Sequence, residues 1–130
     1  MKPNEVSALI SLLDDPDAGI FENVKGKLMG LGDDVIPQLE SAWENSFDSL
    51  MQSRIETIIH TIQFDRVKKR FLDWAEPGNQ GLLEGVLLVA KTQYPDLDED
   101  KLRKQVEQIK QDVWLELYNN LTAFERVKVL

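Results

Sequence analysis

Apolar residues recur at three- and four-residue intervals along almost the whole chain, and sustained two-residue alternation is rare. That spacing lays a stripe along one side of a helix, and each stripe has to be covered by another element. From about Asn4 to Leu13 the stripe is Val6, Leu9, Ile10 and Leu13. "DDPDAG" ends this helix, because Pro16 has no N–H to donate and restrains the residue before it. A second helix to about Leu31 carries Ile20, Phe21, Val24, Leu28 and Leu31, and Gly32 suits a left-handed turn after it. Asp34 is expected to cap a third helix with Pro37 in its first turn; Ile36, Leu39, Ala42 and Trp43 form its apolar side. After "NSFDS" a fourth helix presents Met51, Ile55, Ile58, Ile59 and Ile62. A separate one runs from Asp65 to Ala75, with Val67, Phe71 and Trp74 on one face, and "EPGNQG" closes it.

The segment from Leu82 to Gln93 is apolar on all sides, which predicts a central, buried helix. Gly81 and Gly85 lie four apart and allow a neighbouring helix to come close. From about Glu99 to Asn119 a long helix shows Leu102, Val106, Ile109, Val113 and Leu117 in one stripe. Trp114 and Tyr118 sit one turn apart beside that stripe and widen its apolar surface. In the final "TAFERVKVL", Val127 and Val129 alternate, which leaves a short strand open there. The expectation is an all-α fold of seven or eight helices in a single domain over residues 1–130. Within about residues 4–62, Leu9 and Leu12 match Ile36 and Leu39, while Val24, Leu28 and Leu31 match Ile55, Ile59 and Ile62. Two such helix pairs stack as HEAT-like units in a right-handed array; an irregular helical bundle is the alternative.

Composition removes several function classes. The net charge of −8, from 15 basic and 23 acidic side chains, opposes binding to nucleic acid or to an anionic membrane. The basic run "RVKKR" at 66–70 reads as the solvated side of a helix. No apolar run approaches a membrane span, and the start has no export signal, so the cytoplasm is the expected compartment. With no cysteine and His60 as the one histidine, neither a Cys–His pair nor a two-histidine zinc site can be assembled. His60 falls opposite the isoleucine stripe, four residues after Glu56, and is expected to be exposed.

One acidic run looks like chemistry. Asp96, Asp98, Asp100 and Glu107 trace a calcium-loop pattern, yet Lys101 stands where glycine makes the sharp turn. Leu102, Val106 and Ile109 already have helical spacing, so the run reads as a helix start. Pro95 separates two helices, Asp98 caps the second, and Glu99 and Asp100 favour its positive end. No catalytic, cofactor-binding or metal-binding residue is assigned.

"LLDDPDAGIFENVKGKLMGLGDDVIPQLESAW" followed by "LLEGVLLVAKTQYPDLDED" resembles the N-terminal helical region of bacterial SirB-type transglutaminase-like proteins. The resemblance spans about Leu9 to Asp100, and its second stretch is the more specific. It implies that a transglutaminase-like core would follow this chain and that any catalytic triad would lie there. None of that core's motifs matches these residues, so this chain is expected not to be an enzyme. The role implied is a non-catalytic scaffold or protein-interaction domain, packed against its own downstream core or another protein. The alternative is an accessory domain of a transglutaminase- or protease-like enzyme whose active site lies elsewhere. "FERVKVL" ends abruptly, as an excised N-terminal domain would, and the expected seam is Trp114, Tyr118, Phe124 and Leu130.

Overall fold

Aspartates start three of the helices in this protein. Asp17 accepts from the Gly19 N–H at 2.7 Å, Asp48 from Leu50 at 3.0 Å and Asp98 from Lys101 at 3.0 Å. Each satisfies one of the donors that a first helical turn leaves without an intrahelical partner. The computed structural model describes residues 2–117 and 121–130. Among them are seven α-helices and no strand, so the fold is all-α. They are α1 (Pro3–Ser11), α2 (Ala18–Met29), α3 (Ile36–Asn45), α4 (Ser49–Ala75), α5 (Leu82–Gln93), α6 (Glu99–Glu116) and α7 (Ala123–Val129). Short 3-10 turns, Leu12–Asp14 and Gly32–Val35, follow α1 and precede α3. The chain divides into two compact units, residues 1–92 and 93–130.

The core of the first unit follows the sequence stripes closely. Val6, Ile10, Leu13, Val24, Leu28, Leu39, Ile55, Ile58 and Ile62 are buried in one cluster drawn from α1 to α4. Leu9, Ile20, Phe21, Leu31, Ile36, Ala42, Met51 and Ile59 pack at its edge. Val35 also joins the cluster, turned inward by the 3-10 turn rather than by a helix stripe. Gly32 adopts φ +65°, the left-handed conformation expected of it. Arg54 of α4 ties the α1–α2 link to this core. Its Nη1 donates to the Leu13 carbonyl at 3.0 Å and to the Asp15 carbonyl, and its guanidinium lies 4.6 Å from the centre of the Phe21 ring. Those carbonyls come from a segment that is not an α-helix, so a side chain must supply their donors.

Several local expectations are corrected. The fourth and fifth expected helices are one continuous α4 of 27 residues, about 40 Å long. The step from Ile62 to Val67 rotates the apolar stripe, but Gln63, Phe64 and Asp65 contain nothing that stops a helix. Asp34 does not cap α3; it lies inside the 3-10 turn, and the N-cap position belongs to Val35. Pro37 does stand in the first turn. The terminal strand left open at Val127 and Val129 is instead α7, started by a capping box between Thr122 and Glu125.

The buried central helix is also corrected. Gly85, Leu87 and Leu88 of α5 are buried, whereas Leu82, Val86 and Val89 are exposed along its other side. Apolar residues on every side show that a helix could be buried all round; they do not supply enough neighbouring chain to do it. Gly85 does permit close approach, because the Trp74 indole of α4 lies against it. Trp74 also donates from Nε1 to the Gly81 carbonyl at 2.7 Å and meets Phe71 edge-on, with ring centroids 6.4 Å apart.

Candidate functional site

The acidic run after Pro95 is settled by backbone geometry. Asp98 is the N-cap of α6, and Asp100 and Glu107 lie within that helix, so they cannot wrap one ion as an unwound loop does. Among the described residues, no group of three or more His, Cys, Asp or Glu side chains is arranged to hold a metal. His60 is exposed on α4, as expected. In "RVKKR", Val67 is buried, Arg66 pairs with Asp33 at 3.0 Å, and Lys68 and Lys69 face solvent. No helix among the described residues is long and apolar enough to cross a membrane.

The four residues expected at a contact seam are placed as follows. Trp114 is 73% exposed on α6, while Phe124 on α7 and Leu130 after it are also exposed. Tyr118 lies outside the described residues. Lys128 Nζ stands 4.6 Å from the centroid of the Phe124 ring, so its own helix supplies that ring with a cation. The stripe expected to face inward on α6 is not buried. Leu102, Val113 and Leu117 are half-buried, whereas Val106 and Ile109 are exposed. Leu115 adds another exposed side chain.

Two exposed features carried no signal that the helix stripes could reveal. Phe47, in the short link between α3 and α4, is fully exposed. It stands in "NSFDS", outside both helices, so Trp43, Leu50 and Met51, the apolar residues three or four positions away, do not share a helix face with it. The other feature is a groove of about 520 Å³ between α3 and α4, lined by Glu40, Trp43, Glu44, Glu56, Ile59, His60 and Gln63. Trp43, expected in the core, is instead 38% exposed here. Its Nε1 donates to Glu56 Oε1 at 2.9 Å, a polar partner that the core would not supply. Gln52 of α4 holds the end of α3 by donating to the carbonyls of Trp43 at 3.3 Å and Ser46 at 2.8 Å. Compared with protein-family models, curated proteins and solved structures, the chain has no match.

Proposed function

We propose that this chain is a non-catalytic helical scaffold that docks, through apolar side chains of α6 and α7, against a downstream transglutaminase-like core or a separate protein. One observation carries the reading: Trp114, Phe124 and Leu130 are exposed, with Val106 and Ile109, all within residues 93–130. Aromatic and large aliphatic side chains left in water are the usual anchors of a protein contact. The resemblance of "LLEGVLLVAKTQYPDLDED" to SirB-type proteins supports the downstream core as the docking partner. In this reading α1 to α4 form two HEAT-like pairs, and the chain carries out no reaction itself.

Extending the chain with whatever residues are encoded after Leu130 tests this directly. In a W43F/W74F background, acrylamide quenches Trp114 freely in residues 1–130, as an exposed indole requires. Docking to a downstream core brings quenching down to that of a buried indole in the longer protein. Equal quenching in both proteins contradicts a downstream core as partner. Peptide or amide hydrolysis by residues 1–130 alone contradicts the scaffold role altogether.

A further inference from the structure

We propose that the groove between α3 and α4 binds an arginine side chain presented by a basic segment of a partner protein. Its residues all lie on two helices of the first unit, so it does not rest on the docking role given to α6 and α7. The groove is a concave site with an aromatic wall. Trp43 and Ile59 supply the apolar surface, and Glu40, Glu44 and Glu56 surround it, with no lysine or arginine in the lining. No hydrogen bond or ion pair within the described chain occupies the side chains of Glu40 or Glu44. Glu56 spends one oxygen on the Trp43 indole N–H and keeps the other. That bond fixes the ring before any ligand arrives, which lowers the ordering cost of binding.

The chemistry selects a guanidinium. Its flat face stacks on an indole while its fork of N–H donors reaches carboxylate oxygens, so one group satisfies both parts of the groove. An ammonium meets the same charge but lacks the planar face and the fork. A bare divalent ion needs oxygens converging on a single point, and these glutamates are not so arranged. The net charge of −8 adds a long-range attraction for a basic segment.

Titration of the ¹⁵N-labelled chain with an arginine-rich glycine–serine peptide, followed by NMR at low salt, tests the proposal. Citrulline and lysine versions of the peptide, and calcium alone, are the comparisons. The arginine peptide should shift the Trp43 indole N–H and the amides of α3 and α4 saturably, and the effect should fade as salt rises. Glu40→Gln with Glu44→Gln should weaken binding about fivefold, since exposed charge pairs are each worth about two- to threefold. Both glutamates are exposed, so the variant keeps its fold and its spectrum checks that. Equal binding of citrulline, or no loss in the double variant, overturns the site. Equal binding of lysine overturns the guanidinium assignment. Saturable shifts with calcium and none with the arginine peptide make it a metal site and overturn the proposal.

Discussion

The Trp74 indole lies across Gly85 so closely that a Cβ on that glycine would stand 2.6 Å from Cζ2 and 2.9 Å from Cε2. The atoms in the way belong to a rigid ring, which has no flexible end to yield. Gly85→Ala should therefore lower stability by about 1–3 kcal/mol, the usual range for overfilling a close contact. Gly81→Ala should have a smaller effect, because nothing stands nearer than 3.7 Å to its added carbon. The urea midpoints of the two variants check the difference.

Arg54 gives a second expectation. Removing its guanidinium leaves the Leu13 and Asp15 carbonyls without that donor and the Phe21 ring without its cation. Arg54→Ala should cost about 2 kcal/mol, as for a part-buried hydrogen bond from a charged group. Arg54→Lys should recover only part of this, because lysine cannot fork to two carbonyls while stacking on the ring. Thermal and urea unfolding of both variants would show the order.

Two isoleucines with the same place in a helix stripe should behave differently. Ile58 is fully buried, whereas Ile109 is 62% exposed. Ile58→Ala should destabilise by about 2–5 kcal/mol, through lost apolar contact and the cavity left behind. Ile109→Ala should change the isolated chain by less than about 0.5 kcal/mol, as surface substitutions usually do. Equal losses in denaturant titration would mean that α6 has a cover within the chain.

The sequence made the stripes legible but not what covers them. Val6, Ile10, Leu13, Leu28, Leu39, Ile55 and Ile58 could be read as core because four consecutive helices offer each stripe a partner close in sequence. On α5 and α6 apolar spacing gave the wrong burial, since Val86, Val89, Val106 and Ile109 are left exposed among the described residues. Periodicity reports which side of a helix is apolar; burial depends on the tertiary neighbour. Asp98 was legible as a cap because Pro95 interrupts the helix before it and the stripe that begins at Leu102 follows it by one turn. Asp34 misled because a 3-10 turn intervened, and such turns leave little trace in spacing. The Trp43 groove was hidden for a related reason: an indole on an apolar stripe looks like core until its N–H finds Glu56 across the helix pair.

The start of α7 should respond to acid. The backbone N–H of Thr122 donates to the Glu125 carboxylate at 2.7 Å and its hydroxyl at 3.0 Å, and these bonds hold the Glu125 pKa below its ordinary value. A carboxyl depressed in the folded state favours folding above its unfolded pKa, and that contribution is lost as pH falls through the lower folded value. Carboxyl NMR should therefore show Glu125 titrating below the usual glutamate range, with the Thr122 amide signal moving in step. Thr122→Ala should raise that midpoint towards the ordinary value.

A photo-crosslinking amino acid at position 114, in the protein as the cell makes it, tests the docking role most directly, with position 68 on the solvent side of α4 as the control. The scaffold role predicts a crosslink from position 114 to one defined surface, either a downstream core or a single partner, lost when Phe124 and Leu130 are changed to serine. Position 68 should give none. No crosslink at 114, or the same diffuse products from 114 and 68, would contradict it.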